Sequence, residues 1–575
     1  MAGLGKPPLA AAALVVAAGL GWAAWATHRG VQADLATPRD LHGAPHATSD
    51  ACARCHPGQH ESWRRTFHRT MTQEASAESV LGDFDDASFV YGGVEARMER
   101  SAGGGYRMRF LADGAELSRA EVVRTVGSHR YQQYLARDGD VLFRLPMAWH
   151  VEEGRWFHMN GAFLTPDPPE PAPGEHIDRA DYYRHVVRWN DNCIFCHNVG
   201  PDPGRRGDRF ETEVEELGVA CEACHGPADE HARVNANPVR RYALHLSDTA
   251  DPTIVNPRRL SPDRSAEVCG RCHGQRITDD VGRFLEGGDP FVPGDRLADY
   301  SRPLARDTPL DGDPTAFAAR FWPDGTARLT AYEYQGLLAS PCDGLTCTSC
   351  HGMHEGDPSG QLRPALVGDA QCAQCHADEA DHSGHTATAC VDCHMPRVVY
   401  GLVGAYRSHR IEVPALDAPG RPDACSLCHA ERSTDWLARG WARLYGDPPE
   451  RPTESGAPVR DDLLAGDPIE RAMAAAALGR TEALVDRAWR AGLLLDTLAD
   501  DPYPAVRRMA WRSLRALHPD ATGLDWRSYV PTGPAEARRA WVREAEASLD
   551  VRRPDRAEVA PLRARAAQQA IFIGE

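Results

Sequence analysis

The stretch Glu333–His354 reads EYQGLLASPCDGLTCTSCHGMH, and its centre is Cys347-Thr348-Ser349-Cys350-His351. Two cysteines two residues apart, with a histidine directly after the second, make a pattern that returns along the chain. It stands as CARCH at Cys52–His56, CIFCH at Cys193–His197, CEACH at Cys221–His225 and CGRCH at Cys269–His273. Beyond CTSCH it stands again as CAQCH at Cys372–His376, CVDCH at Cys390–His394 and CSLCH at Cys425–His429. The eight motifs use sixteen of the 17 cysteines: Cys52, Cys55, Cys193, Cys196, Cys221, Cys224, Cys269, Cys272, Cys347, Cys350, Cys372, Cys375, Cys390, Cys393, Cys425 and Cys428. Only Cys342 is left over. At the observed cysteine and histidine frequencies, chance supplies such a motif about 0.02 times in a chain of this length.

CxxCH is the attachment signature of c-type haem. Each thiol forms a thioether with one haem vinyl group, and the adjoining histidine lies under the iron as its proximal ligand. The proximal ligands are then His56, His197, His225, His273, His351, His376, His394 and His429. Zinc sites also use paired CxxC motifs, but zinc does not need a histidine after every second cysteine. An odd cysteine count cannot pair completely as internal disulfides. The expectation is eight covalently attached c-type haems. From Cys52 to His429 there are 378 residues, about 47 per motif. So few residues cannot bury each haem in its own fold. The haems must share a core and form a chain of redox centres, which carries electrons.

Each iron has a sixth position. A second histidine there saturates the metal and suits electron transfer, whereas a vacancy lets a substrate bind. Of 25 histidines, seventeen lie outside the motifs, and His28, His42, His46 and His518 fall outside the haem-bearing stretch. Thirteen remain for eight irons. His68 follows His56 by one short helix. His231 lies in CHGPADEHA, where Gly226 and Pro227 turn the chain. His354 comes too soon after His351 to reach the far side of the same iron, so it would serve a neighbour. His129 in VGSHRYQQY and His409 in RSHRI complete the leading set. His185 in YYRHVVRWN follows, with His382 and His385 just before CVDCH. His150, His158, His176 and His245 are reserves.

The chain resembles multihaem cytochromes of the cytochrome c-552/4 family, and more closely a bacterial group that fuses such haem domains to a helical repeat tail. The resemblance is carried by VGSHRYQQYL, GVACEACHGPADEH, PTIVNPRRL, CGRCHG, the opening stretch, CVDCHMP, YGLVGAYRSHRI and RPDACSLCHAERSTDW. These run roughly over residues 50–440, with further matches into the tail. The resemblance implies axial roles for the histidines after the GS, CHGP and RS elements, which are His129, His231 and His409 here. It also implies export, haem maturation outside the cytoplasm and electron transfer. Octahaem nitrite reductases carry CxxCK at the catalytic haem, and no CxxCK occurs here. Hydroxylamine oxidoreductases also carry eight CxxCH motifs, but no local motif places their crosslinking tyrosine on this sequence.

Around the motifs the chain divides. Residues 1–30 read as a signal peptide or an N-terminal membrane anchor: Lys6 is basic, and Leu9–Ala26 is an uncharged run. Ala24-Trp25-Ala26 offers a cleavage site, while Trp22 and Trp25 suit an interfacial belt and tip the reading toward an anchor. Residues 45–440 form the octahaem domain, expected to be mainly α with little regular structure. Within it, residues 80–165 lack CxxCH and alternate in YRMRFLA and VLFRLPMAW with GG and DG turns, which predicts a β-rich insertion. Residues 281–340 form a second haem-free insertion, ending in the hairpin-like FWPDGTARLTAY. Residues 450–575 predict an α-helical HEAT-like repeat tail. Asp467-Pro468 and Asp501-Pro502 open similar segments, and Val506, Met509, Ala510, Leu514 and Leu517 keep helical spacing. The tail reads as a structural cap packed on the haem domain. Cys342 reads by default as a buried, inert thiol, with pairing between chains or approach to a haem as the alternatives.

Composition bounds the function. The net charge of −18 argues against a nucleic-acid binder. A mean hydropathy of −0.47 excludes a polytopic membrane protein. Haem propionates add further acid, so redox partner proteins docking near haem edges should present basic surfaces. The leading reading is an exported, periplasmic electron-transfer cytochrome with mostly bis-histidine haems, held near the inner membrane if residues 9–26 anchor it. The alternative is an octahaem oxidoreductase acting on a small nitrogen or sulfur compound at a five-coordinate haem. A subunit role in a respiratory complex is compatible with the first.

Overall fold

The computed structural model describes residues 8–172, 174–246, 249–355, 360–376, 382, 384–385, 388–416, 420–446, 456–569 and 571–573, with the side chains of residues 8–11 outside the description. Lys6 therefore lies outside it. The N-terminal apolar run is helical over Pro8–Leu35. Leu14, Val15, Val16, Leu20, Trp22 and Trp25 are exposed on it. Among the described residues no helix is long and apolar enough to cross a membrane. At the helix end, Asp34 accepts from Arg240, and Arg240 also pairs with Asp251 at 2.7 Å. These bonds hold the helix base against the helix Pro238–His245.

Nine strands fill the first haem-free region: β1 Thr72–Glu74, β2 Ala87–Tyr91, β3 Val94–Arg100, β4 Tyr106–Ala112, β5 Ala115–Val122, β6 Arg124–Val126, β7 Tyr131–Asp138, β8 Val141–His150 and β9 Arg155–His158. They form an antiparallel sheet β2-β3-β4-β5 and a second sheet β1-β6-β7-β8-β9. Strand alternation explains the packing. Val94, Ala96, Met98, Tyr106, Met108 and Phe110 point inward and are buried with Phe84, Tyr134 and Trp156. Arg107 and Arg109 point outward and pair with Glu121 and Glu116. The β2–β3 turn is Gly92-Gly93, with φ of 56° and 79°. A Cβ at Gly93 would lie 2.6 Å from the Glu175 carbonyl, so only glycine fits the turn. The second haem-free region has little regular structure. Its end turns back on itself, where Trp322 N donates to Thr326 O at 2.7 Å.

The haem motifs sit on short helices: Cys221–His225, Pro262–His273, Cys347–Cys350, Cys390–His394 and Ala424–Cys428 are examples. After them come helices Pro458–Ala465, Pro468–Leu478, Arg487–Asp500, Pro504–Leu517, Ala535–Ser548 and Arg556–Ala566. Asp467 caps the second of these, accepting from Ile469 N and Glu470 N while Glu470 accepts from Asp467 N. The expected twin start at Asp501 is different. Its carboxylate is taken by Arg471 at 2.8 Å and by Tyr503 N, and the helix begins at Pro504 instead.

The tail does not stand apart. Leu164, Trp322, Val398–Tyr400 and Leu427 belong to the same apolar core as the tail residues Leu463, Ile469, Leu494, Val506 and Trp511. Charged pairs cross the same boundary. Arg507 meets Asp167 at 2.7 Å, Arg508 meets Glu153 at 2.7 Å, Arg490 meets Glu431 at 2.7 Å and Arg328 meets Asp467 at 2.5 Å. Residues 571–573 return to the first region, where Ile573 and Leu164 exchange backbone hydrogen bonds.

Candidate haem-binding sites

Among the described residues, the rings of six CxxCH histidines face a second histidine from outside their own motif. His56 faces His231 with ring centroids 6.4 Å apart, and His225 faces His354 at 6.0 Å. His273 faces His68 at 6.1 Å, and His351 faces His409 at 6.4 Å. His394 faces His382 at 6.0 Å, and His429 faces His385 at 6.2 Å. These rings are too far apart to stack on each other. An iron bonded at about 2 Å on each side, plus half of each ring, needs a separation of about 6.2 Å. The six gaps fit a haem iron held between two imidazoles. Tetrahedral zinc would instead gather four ligands around one point.

The histidines are prepared as ligands. His225 Nδ1 donates to Val255 O at 2.7 Å, His351 Nδ1 to Gly360 O at 2.7 Å and His394 Nδ1 to Glu412 O at 2.8 Å. Each bond fixes the tautomer that leaves the Nε2 lone pair for metal. His231 Nδ1 lies 3.2 Å from Asp251, whose carboxylate Arg240 orients. His273 Nδ1 lies 3.7 Å from Glu333, and that carboxylate holds its pKa up at about 9. Burial keeps others neutral: it pushes His68 down to about 4, helped by His273 and His197. Burial also lowers His56, His225 and His409. Glu333 and Asp251 were invisible as partners in sequence, because each approaches its histidine from a different segment.

The cysteines link the motifs to one another. Cys52 lies close enough to Cys221 for the two thiols to perturb each other, and the same holds for Cys196 and Cys272, Cys269 and Cys347, and Cys372 and Cys390. Cys224 and Cys272 are close enough to interact electrostatically, and so are Cys350 with Cys375 and Cys393 with Cys428. Numbering the motifs from the N-terminus, contacts run 1–3–4–5–6–7–8, with motif 2 branching from motif 4.

Two stretches match known families. Residues 379–443 match the cytochrome c552 family, and residues 173–226 match the cytochrome c554 and c-prime family. The chain is a multihaem c-type cytochrome. The cytochrome is also similar to the dissimilatory sulfite reductase MccA of Wolinella succinogenes, at 21% identity over 409 residues. That alignment covers 60% of the cytochrome and 50% of the relative, so the chain spans half the length of that curated protein. Among solved structures, the outer cell wall cytochrome OcwA matches at 18% identity and a TM-score of 0.45, covering 82% of this chain and 99% of that one.

Of the remaining candidates in the cytochrome, His185 is buried in the β-rich region, where its Nε2 bonds Thr165 at 3.1 Å and its ring packs on Phe163. His129 stacks on Phe67 at 4.1 Å. Among the reserves, His150 and His158 are buried in the same strands. His197 closes a short helix near the His68–His273 pair. His376 follows Cys375 at the surface, and residues 377–381 beyond it are outside the described residues. Cys342 is half-buried and lies near Cys350 and Cys372.

Proposed function

We propose that this chain is an exported electron-transfer cytochrome with eight covalently attached haems, most of them bis-histidine. The observation that carries the reading is the set of six histidine pairs at 6.0–6.4 Å. In each pair the CxxCH histidine is the proximal ligand. His231, His354, His68, His409, His382 and His385 are the distal ones. The sixteen motif cysteines supply the thioether bonds. Haem iron bound in these sites supplies one-electron redox chemistry.

The protein's own residues do the rest. Backbone carbonyls orient the imidazoles, and burial favours the neutral ring at His56, His68, His225 and His409. Paired ligands leave no open coordination position for a substrate. The contact series of motifs supports passage of electrons along the chain, with motif 2 as a side branch. The apolar run at Leu9–Ala26 supports export, either by cleavage or by anchoring at the inner membrane. We read the tail as HEAT-like and as a prop for the haem stretch. Redox partner proteins are expected to dock with basic surfaces, given the net charge of −18.

A second reading rests on the relative that is a sulfite reductase by name. On that reading one haem is five-coordinate and acts on a small sulfur or nitrogen compound. Spin state separates the two. Electron paramagnetic resonance of the oxidised protein should give low-spin signals throughout for a carrier. A high-spin fraction of about one haem in eight would favour the enzyme.

A further inference from the structure

A cavity of about 740 Å³ opens where the β-rich insertion, the hairpin of residues 399–406 and the tail meet, and no CxxCH cysteine lines it. Arg130 reaches it from the insertion, Arg397 and Tyr406 from beside and within the hairpin, and Arg480 and Arg512 from the tail. Four guanidinium groups thus face two carboxylates, Glu152 and Glu482. This is a positive pocket in a chain whose net charge is −18.

Two of the arginines are already paired. Arg512 lies 3.5 Å from Glu152, and Arg480 lies 3.6 Å from Glu482 and 3.8 Å from Asp392. The other two are not: among the described residues, Arg130 and Arg397 have no carboxylate at ion-pair distance. Arg130 lies over the Tyr406 ring at 4.0 Å. Arg397 donates to Ala405 O at 3.3 Å. Burial and the guanidinium groups of Arg407 and Arg480 lower the pKa of Arg397, so a nearby anion would relieve its field. Tyr406 is held in place over Gly404, where a Cβ would lie 2.6 Å from its hydroxyl.

Two guanidinium groups without acid partners, set around one phenol, match the donors that recognise oxyanions. We propose that this cavity binds an oxyanion between Arg130 and Arg397, with the Tyr406 hydroxyl as a third donor. Its source is either a free solute of the phosphate or sulfate type or a propionate carboxylate of a haem held at a neighbouring motif. The site stands whether the protein is a carrier or an enzyme.

The test uses the haem-loaded protein, titrated calorimetrically with inorganic phosphate at low ionic strength. Arg130→Gln and Arg397→Gln are compared with the unaltered chain and with Arg119→Gln, a surface variant of equal charge change. A free-solute site binds phosphate saturably in the unaltered and surface-variant proteins, and about tenfold more weakly in the two cavity variants. A propionate site takes up no phosphate, but the cavity variants shift the reduction potential of one haem and the surface variant does not. Absence of phosphate uptake together with unmoved potentials overturns the proposal. So does equal phosphate affinity in all four proteins. Arg130 and Arg397 are both exposed, so neither substitution removes a core side chain, and each variant tests the site separately.

Discussion

The CxxCH stretch and the helical tail hold themselves together by different means. In the tail, helices of up to 14 residues bury continuous apolar faces, as Pro504–Leu517 does with Val506, Ala510, Leu514 and Leu517. In the CxxCH stretch the helices are mostly four or five residues long, as at Cys347–Cys350 and Cys390–His394. Helices that short are not stable in water by themselves. What they have instead is cross-chain pairing: histidine opposite histidine, and thiol beside thiol. The comparison teaches that the tail is folded by its own side chains. The haem stretch depends on its cofactor and on the tail core that reaches into it through Trp322, Tyr400 and Leu427.

Four experiments break or sharpen this comparison. The largest effect should come from ending the chain at Gly446. That exposes Trp322, Tyr400 and Leu427 and removes the partners of Asp167, Glu153 and Glu431. Haem incorporation should collapse, read as the ratio of haem to protein absorbance. A normal ratio would show that the two regions fold independently.

Next is Asp167→Ala, which strands Arg507 in the interface with its charge unpaired. Removing one partner of a buried pair costs about 3–5 kcal/mol, and the lower end applies because the Asp167 side chain is 25% exposed. The thermal midpoint should fall while haem content stays normal. An unchanged midpoint would mean that this pair does not fasten the tail.

A smaller and more local effect is expected from His231→Met. Methionine opposite histidine raises a haem potential. A redox titration should show one centre shifted upward and no haem lost. If every potential stays put, His231 does not face the motif 1 iron.

The smallest effect concerns tail electrostatics. Burial, then Glu470 and the aspartates around it, push Asp462 from the ordinary value of 3.8 up to about 8. The folded chain therefore keeps a proton that the unfolded chain has released. This contribution to stability is complete below about pH 4 and is lost as pH rises toward 8. Asp462→Asn should flatten the fall in thermal midpoint over that range. An identical pH profile in the variant would remove Asp462 as its cause.

What was legible in the sequence follows from range. A CxxCH motif is a covalent and coordinating unit within five residues, so spacing alone picks out the sixteen cysteines and eight histidines proposed to hold haem. The alternation of Tyr106–Ala112 and the Asp467 cap are equally local, and they read directly. The Asp501 start misread because a distant residue, Arg471, competes for its carboxylate.

Spacing by itself therefore pointed to c-type haem and marked the eight CxxCH motifs as its proposed attachment points. Only the tertiary structure decided which histidine faces which. In five of the six pairs the second histidine comes from a different motif's neighbourhood, and in the sixth His382 stands twelve residues before His394, because a residue next to the proximal ligand cannot reach around to the far side of the iron. The order in which the motifs touch, and the fusion of the tail core with the haem stretch, were decided there for the same reason: both are made by surfaces that meet only when the chain is folded.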